Sequence, residues 1–271
     1  MFKTGIYVDA ENIRLSGGYG MRYDILVDLA NRGNSQLLRA NSYLAEDRER
    51  TENDPEYRQK VYNYHDIVRN CGFKVIKKYV QHYVDDEGIV TTKANADMDL
   101  AIDALLQSRN LDRIILVTGD GDFIRLVTAI QNRGCRVEVI GFNNVSAALR
   151  ETADFFISGF LVPGLLPIQG DQDLRDWYRG RVISYKPDRG FGFMRYYRLT
   201  AWGLEGVSLF FHCSQSPFEN SPQIFHNPAS IFEFQIAPND RDSDKYEAHN
   251  IRLLQTENST SPSDKFFSDR F

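Results

Sequence analysis

Short apolar runs alternate with stretches of helical periodicity over residues 1–160 of the chain. Between the runs, apolar residues recur every three or four positions, which predicts amphipathic helices at residues 56–70, 96–109 and 121–133. Strands that alternate with helices in this way are typical of βαβ units around a parallel sheet. The predicted strands are residues 5–9, 37–45, 73–84, 113–118, 136–141 and 155–158.

The pattern changes after residue 165. Residues 166–176 are rich in Pro, Gly, Gln and Asp and predict a linker. From residue 177 to 255 the helical periodicity disappears and short apolar stretches are separated by turn residues, which predicts a small all-β barrel. The polar, Ser-rich residues 256–271 are expected to be a disordered tail. We therefore expect an α/β domain at residues 1–165 and a barrel at 177–255.

The composition narrows the class of protein. A chain of 271 residues is long enough for two hydrophobic cores. No run approaches the roughly 20 apolar residues of a membrane-spanning helix, and the first strand follows Met1 directly. We therefore expect no membrane span, no signal peptide and a cytoplasmic location. Cys71, Cys135 and Cys213 form no Cys-x-x-Cys pair, so we expect reduced cysteines and neither disulfides nor a zinc ribbon.

The net charge of −5 argues against a nucleic-acid partner, because phosphate binding usually requires an excess of Lys and Arg. One segment is an exception: residues 179–198 contain six basic residues and a single acid, Asp188. Acids gathered at a metal site would also contribute to the negative total, and the bound ions would offset them. Local charge therefore still allows a nucleic-acid partner.

Four aspartates stand where a parallel sheet would bring them together. Asp9 ends the first apolar run, and Asp97 begins a predicted helix. Asp120 and Asp122 directly follow the apolar run at residues 114–117. Ligands bind outside the carboxyl ends of parallel strands, so acids at these ends point into one crevice. A divalent cation would relieve their mutual repulsion, and oxygen-only ligands suit Mg²⁺ or Mn²⁺.

Some of these acids also have a purely structural interpretation. The two glycines around Asp120 let the backbone bend and leave room for a ligand. Asp120 and Asp122 would also complement the dipole of the following helix, so a capping role is the alternative. Asp99 and Asp103 lie four residues apart on one helix face, and a solvated face explains Asp103 as well as a catalytic role does. We keep these two in reserve.

Three segments together resemble the signature blocks of the NYN domains, which are relatives of the PIN nucleases. They are residues 7–13, residues 93–103, and residues 118–123 followed by 134–137. The resemblance covers residues 3–160. It implies a PIN-like α/β fold of three layers and a ribonuclease that uses Mg²⁺ or Mn²⁺.

By position, this resemblance assigns roles to two sets of side chains. The catalytic, metal-binding acids would be Asp9, Asp97, Asp120 and Asp122. Asn12 and Thr118 would support them or contact the substrate, and Lys93 would contact a phosphate. One or two ions would polarise the scissile phosphate, activate water and stabilise the leaving oxygen, so no histidine is needed as a base.

Aromatic residues recur on alternate positions of two segments in the second half. Phe191 and Phe193 are separated by a glycine, so they fall on one face of a strand, and Phe210 and His212 do the same further along. Exposed rings beside basic residues form a stacking platform for unpaired bases. Packing in a core is the alternative, but the flanking basic residues favour binding.

Residues 177–255 resemble a cold-shock domain. The matching segments are residues 180–182, 186–194, 209–214, 231–234 and 248–253. The resemblance implies a five-stranded OB-type barrel that binds single-stranded RNA or DNA. The residues that would stack on bases are Phe191, Phe193, Phe210 and His212, with Lys186 and Arg189 near phosphates.

The chain also departs from the cold-shock pattern. Ser184 and Cys213 stand where the family usually has aromatic residues. A longer insertion, residues 195–208, offers further rings that would compensate for them. These rings are Tyr196, Tyr197 and Trp202.

The leading hypothesis is a metal-dependent ribonuclease whose barrel captures single-stranded RNA, with single-stranded DNA as an alternative ligand. A second is a non-catalytic RNA-binding regulator whose first domain contacts proteins; four repelling acids speak against it. A third is a metal-dependent phosphatase or phosphotransferase, whose Asp-x-Asp motif is only mimicked by Asp9-Ala10-Glu11. We expect no membrane partner, and the sequence leaves open whether the protein forms a homodimer.

Overall fold

A computed structural model describes residues 1–84, 90–93, 96–168, 176–218, 222–239 and 242–256, with side chains except at residues 81–93, 222, 242–244 and 256. The chain forms two compact units. The first comprises Met1–Tyr19 and Tyr23–Ile157, and the second comprises Gly20–Arg22 and the described residues from Ser158 onward. Within these described ranges, no helix is both long and apolar enough to cross a membrane.

A six-stranded sheet is the centre of the first unit. In chain order the strands are β1 (Phe2–Asp9), β2 (Ser35–Glu46), β3 (Lys74–Tyr79), β4 (Gln81–Val84), β5 (Val90–Lys93), β6 (Arg113–Val117), β7 (Arg136–Gly141) and β8 (Phe155–Ser158). The sheet order is β3-β2-β1-β6-β7-β8, and its pairs from β3 to β7 are parallel. The predicted α/β class with a parallel sheet is confirmed.

Helices connect these strands. Those described are α1 (Ala10–Leu15), α2 (Tyr23–Ala30), α3 (Arg48–Asn53), α4 (Pro55–Asn70), α5 (Ala96–Gln107), α6 (Ile124–Gln131) and α7 (Ala147–Thr152). Helix α4 begins where it does because Asp54 accepts the backbone N–H groups of Glu56 and Tyr57, both at 3.0 Å, while Pro55 needs no partner for a first-turn N–H. Loss of such a cap typically costs about 1 kcal/mol.

The strand order reverses between β1 and β6. From β1 the sheet grows outward through β2 and β3, and from β6 it grows the other way through β7 and β8. Both central strands are apolar and buried on both faces, as expected for a parallel sheet. Their register pairs Val8 with Val117, which brings the next residues, Asp9 and Thr118, to the same edge. Open parallel sheets bind ligands at such a reversal.

The structure corrects one strand prediction. The single strand predicted at residues 73–84 is two strands: β3 ends at Tyr79, and β4 pairs instead with β5, which the sequence pattern had not indicated. The break follows from the length of the neighbouring strand. β2 ends at Glu46, whose carbonyl oxygen accepts a hydrogen bond from the backbone N–H of Val80 at 3.0 Å.

The second unit contains a closed five-stranded barrel, so the predicted all-β domain is confirmed. Its strands are β9 (Trp177–Lys186), β10 (Phe191–Thr200), β11 (Gly203–His212), β12 (Ser230–Asn239) and β13 (Asp242–Thr256). Going round the barrel, the order is β9-β10-β11-β13-β12, and every pair is antiparallel except β11 with β13. Thr256, the first residue of the predicted tail, ends β13, and residues 257–271 lie outside the described residues.

The barrel core is largely aromatic. Its buried rings include Tyr196, Phe211, Phe225, Phe232 and Phe234. Gly192 on β10 is required by this packing, because a Cβ there would stand 2.2 Å from the carbonyl oxygen of Ser184 and 2.7 Å from the Phe211 ring. Gly192, which separates the two predicted stacking phenylalanines, is therefore needed for packing of the barrel core.

A buried ion cluster ties the barrel to the segment before it. Glu233 on β12 is 3% exposed and accepts hydrogen bonds from Arg179 on β9 at 2.9 Å and from Arg252 on β13 at 2.8 Å. The Arg179 guanidinium also donates to the carbonyl oxygens of Leu166 and Pro167, at 3.2 and 3.0 Å. Burial lowers the pKa of Arg179, and the charge of Glu233 opposes that shift. The cluster is stable only as a fully paired network.

Candidate active site and nucleic-acid interface

Asp9 lies at the junction of β1 and α1. Its Oδ1 accepts the backbone N–H of Asn12 at 3.1 Å, which caps α1, and its Oδ2 accepts the Thr118 hydroxyl at 3.2 Å. The residue is 4% exposed, and burial raises the pKa of its carboxyl to about 6. The two hydrogen bonds oppose this shift, whereas the charges of Asp97 and Asp120 add to it.

The turn after β6 is bonded to the start of α1. The Thr118 hydroxyl donates to Asp9 and also accepts the N–H of Asp120 at 3.2 Å. Asn12 Oδ1 accepts the N–H of Gly119 at 2.8 Å. Asp120 caps the 3₁₀ turn that leads into α6, because its Oδ1 accepts the N–H of Asp122 at 2.9 Å. The capping role considered for Asp120 is therefore present, inside a network that joins two acid-bearing segments.

Asp97 lies in the first turn of α5. Partial burial raises its pKa, and the charges of Asp120 and Asp122 raise it further. Asp97 in turn raises the pKa of Asp9. The fold thus brings Asp97 of α5 close enough to Asp9, Asp120 and Asp122 for their charges to interact.

The fit of these acids to a divalent cation depends on donor chemistry and on spacing. Their donors are oxygen only. Burial first, and then the charges of neighbouring aspartates, raise the pKa values of Asp9 and Asp97, and a hard cation would offset both causes. Among the described residues, however, no group of three or more His, Cys, Asp or Glu side chains lies close enough to hold an ion. The set fits Mg²⁺ or Mn²⁺ in charge and chemistry, and binding would have to draw the carboxylates together.

The reserve acids of α5 have other partners. Asp99 accepts a hydrogen bond from Lys78 Nζ of β3 at 2.9 Å, and Asp103 accepts the Tyr43 hydroxyl of β2 at 2.9 Å. Both bonds hold the helix on the sheet. The side chain of Lys93 lies outside the described residues, so its phosphate contact stays a prediction.

The sequence patterns did not predict that the loop between β7 and α7 would contact the turn after β6. A Cβ at Gly121 would lie 2.9 Å from Ser146 Oγ, so the loop occupies the room that we expected a ligand to take. The N–H of Ser146 donates to the carbonyl oxygen of Gly119 at 2.9 Å, and the N–H of Asn143 donates to that of Ser16 at 2.8 Å. The loop therefore braces the acid-bearing turn. The sequence offered one signal for this role: the loop follows β7, the strand that pairs with β6.

Strand register arranges the predicted stacking residues in two rows on the outer face of the barrel. The first row is Lys186, Phe191 and His212, and the second is Ser184, Phe193 and Phe210. The centroid of the Phe210 ring lies 5.6 Å from that of Phe191 and 5.9 Å from that of Phe193. Phe193 is 42% exposed, so the alternative of core packing is wrong for this ring. We call these two rows the aromatic face.

Cations border the aromatic face. Lys186 Nζ lies 5.7 Å from the centroid of the Phe191 ring, and Arg189 is exposed in the turn between β9 and β10. His212 is oriented by a 2.7 Å hydrogen bond between its Nδ1 and Ser214 Oγ. Rings with neighbouring positive charge are the features that unpaired nucleotides require.

Comparisons with known proteins identify the first unit. "Low amplitude and bright protein LabA" of Synechococcus elongatus is 24% identical over 162 residues, which are 57% of this chain and 82% of LabA. A solved structure of a protein of unknown function, VPA0982 from Vibrio parahaemolyticus, is 30% identical over 58% of this chain and 92% of that one, with a TM-score of 0.45. The family model of the NYN domain matches residues 3–166, which include all four acids. This chain therefore belongs to the NYN domain family, within the PIN-like nuclease superfamily.

Proposed function

We propose that the protein is a metal-dependent ribonuclease that hydrolyses phosphodiester bonds. The observation that carries the proposal is the set of carboxylates at the reversal of the sheet, where burial first, and then the charges of neighbouring aspartates, raise the pKa values of Asp9 and Asp97. A divalent cation relieves repulsion of this kind, and it is also the cofactor that phosphodiester hydrolysis can use. The nuclease-type fold of the NYN family agrees with this activity.

The metal would be held by Asp9, Asp97, Asp120 and Asp122. If bound there, Mg²⁺ or Mn²⁺ would supply polarisation of the scissile phosphate and a lowered pKa of the attacking water. The protein would contribute the fixed positions of these acids. Thr118 bonds to both Asp9 and Asp120, and Asn12 bonds to the same two segments, so neither acid-bearing segment can shift alone.

A histidine base is not part of the proposal. His65 is 3% exposed, and its Nε2 lies 3.9 Å from Glu46 Oε2. Burial and the charge of Lys77 lower its pKa to about 4, so it is neutral and shielded from a substrate near pH 7. The side chain of His82 lies outside the described residues.

The barrel would capture single-stranded RNA. Its strand order, with β11 parallel to β13, fits an OB-type barrel, as the cold-shock resemblance implies. The second and third strands of such barrels commonly bind oligonucleotides, and here these are β10 and β11, which carry Phe193 and Phe210. Because barrel and acids belong to one chain, captured RNA would have a high effective concentration for cleavage.

The test is cleavage of labelled single-stranded RNA by the full chain in Mg²⁺, Mn²⁺ or EDTA. Asp120→Asn should be inactive, whereas Asp66→Asn serves as the matched control, since Asp66 is an exposed acid of α4 paired with Arg69 at 3.1 Å. We expect the wild type and the control to cleave only with metal. Undiminished cleavage in EDTA, or by Asp120→Asn, would refute the proposal. Single-stranded DNA run in parallel tests the alternative ligand.

A non-catalytic RNA-binding regulator is the second candidate function. One observation favours it: the described carboxylates are not gathered closely enough to hold an ion as they stand. This candidate predicts RNA binding by the aromatic face without cleavage in any metal. The same assay therefore separates the two functions.

A further inference from the structure

The sheet that carries the aromatic face continues well beyond it. Strands β10 and β11 pair without interruption as far as Thr200 and Gly203, and only Ala201 and Trp202 join them. This long hairpin is the insertion seen in the sequence. From Phe193 to Thr200 it extends about 23 Å, at roughly 3.3 Å per residue.

One of the three extra rings is not available to a ligand. Tyr196 is 5% exposed and belongs to the barrel core, where its ring centroid lies 5.3 Å from that of Tyr178. The expectation that this ring compensates for the missing aromatic residues is therefore wrong. Its side chain points inward because it alternates with its outward-facing neighbours along β10.

The outward positions of β10 beyond Phe193 are Arg195 and Tyr197. They face Ser208 and Gly206 of β11, respectively. A Cβ at Gly206 would lie 3.4 Å from Arg195 Cδ and 3.5 Å from Tyr197 Cε1, so both side chains lie against a strand position that has no side chain of its own. Arg195 also donates to Ser208 Oγ at 3.4 Å. A cation and a ring thus continue the aromatic face.

A third group stands at the tip of the hairpin. Trp202 is 84% exposed, so its ring contributes little to the stability of the fold. Its backbone is nevertheless fixed: the N–H of Trp202 donates to Thr200 Oγ1 at 3.2 Å, and that hydroxyl donates to the carbonyl oxygen of Gly203 at 3.1 Å. An exposed ring on an ordered turn is available to stack on an unpaired base.

We propose that this hairpin is a second binding segment for single-stranded nucleic acid. Arg195 would contact a phosphate, and Tyr197 and Trp202 would stack on bases. Charge favours this occupant, since the hairpin carries part of the positive segment at residues 179–198. The segment is also continuous with the aromatic face. The inference rests on the proposed RNA binding and adds that only longer strands reach the tip.

The test compares oligouridylates of about 4 and about 16 nucleotides, the range of OB-fold site sizes, by fluorescence anisotropy with the full chain. Tyr197→Ala and Trp202→Ala should each weaken binding of the long strand by at least about 5-fold and leave the short strand unchanged. Arg195→Gln should reduce the slope of log affinity against log salt concentration for the long strand by about one, which corresponds to the loss of one phosphate contact. Tyr197→Trp should retain affinity, which separates stacking from a folding defect.

Matched controls lie on the same barrel. Tyr246→Ala removes a ring of β13 that is 59% exposed, and Arg198→Gln removes a cation that points to the other face of β10, 3.8 Å from Glu205. Neither variant should change how the affinity for RNA depends on strand length. Phe193→Ala, by contrast, should weaken both strands, because it belongs to the aromatic face.

The outcomes distinguish the two proposals. If the wild type binds neither strand, the proposed RNA binding fails. If it binds both and the Tyr197 and Trp202 variants lose nothing, or lose equally at both lengths, only the second segment is refuted. In a Trp177→Phe background, the emission of Trp202 should respond to the long strand and not to the short one. An unresponsive emission would also refute the segment.

Discussion

The site of Asp9, Asp97, Asp120 and Asp122, which we call the acidic crevice, and the aromatic face are built in opposite ways. In the crevice, Asp9 and Thr118 are buried, and the bond from the Thr118 hydroxyl to Asp9 joins distant segments. On the face, rings are partly exposed and are positioned by strand register, as Phe193 is beside Phe210. Repulsion is concentrated in the first region, and apolar surface is presented in the second. The crevice should therefore respond to single-atom changes and to pH, whereas the face should tolerate any change that keeps a ring.

The largest expected effect is on cleavage. Asp120→Asn should lower the single-turnover rate by about 10³-fold or more, because metal stabilisation of the transition state is worth several kcal/mol. Unfolding in EDTA should occur at the same or a higher temperature, since a repelling charge is lost. Phe193→Ala, at saturating RNA, should keep the wild-type rate. A wild-type rate in Asp120→Asn would show that the crevice is not catalytic.

The next effect is on stability as a function of pH. Burial first, and then the charge of Lys77, hold the pKa of His65 at about 4 instead of 6.5. The unfolded state then binds more protons between these values, so stability falls as pH falls from 6.5 to 4, by up to about 3 kcal/mol. His65→Leu should lose less over this window in urea unfolding followed by circular dichroism. An unchanged acid dependence would contradict this assignment.

Asp9 should act with the opposite sign. Because the pKa of this carboxyl is raised from 3.8 to about 6, the folded state binds more protons than the unfolded state between these values. Stability in EDTA is therefore lost as pH rises from 4 to 6, by up to about 3 kcal/mol. Asp9→Asn should remove this loss. The free energy of unfolding of the variant, relative to the wild type, should therefore rise between pH 4 and pH 6 and stay constant above pH 6. A pH-independent difference between the variant and the wild type would show that folding does not raise the pKa of Asp9.

A smaller effect is expected from the bond between the acid-bearing segments. Thr118→Val keeps the shape of the side chain and removes its bonds to Asp9 and Asp120, so cleavage should fall about 10- to 100-fold, as for residues that orient metal ligands. Thr118→Ser should restore most of the rate. Equal losses in both variants would point to packing instead of hydrogen bonding.

The smallest effect concerns the aromatic face. Phe193→Ala should weaken binding of single-stranded RNA by about 5-fold or more, since one stacked base is worth roughly 1 to 3 kcal/mol. Phe193→Trp should bind at least as well as the wild type. Anisotropy titrations measure both variants, and a loss in Phe193→Trp equal to that in Phe193→Ala would show that stacking is not the interaction.

Much of the fold could be predicted because burial leaves a clear pattern. β8 was placed at its observed bounds, and the bounds of α4 were missed by a single residue, because apolar periodicity and an Asp-Pro start are local signals. The split between β3 and β4 could not be predicted, since it depends on where the neighbouring strand ends. That is a property of the sheet and not of the segment itself.

The candidate site was predictable in its acids and less so in their surroundings. Strand ends indicated Asp9 and Asp120, but the bond that joins their segments links residues 109 positions apart, and only register creates it. The roles of Asp99 and Asp103 were left open, because the spacing of residues along a helix does not show which residues of other elements contact that helix face. The structure supplies those partners in Lys78 and Tyr43.

The guanidinium of Arg179 has a practical consequence for studying the two halves separately. A fragment that starts at Trp177 would keep Glu233 and lose the acceptors at Leu166 and Pro167, which would leave a largely buried cation with unmet hydrogen bonds. Excision of the C-terminal half should therefore begin upstream of Leu166. A shorter piece would melt at a lower temperature even though every one of its strands is intact.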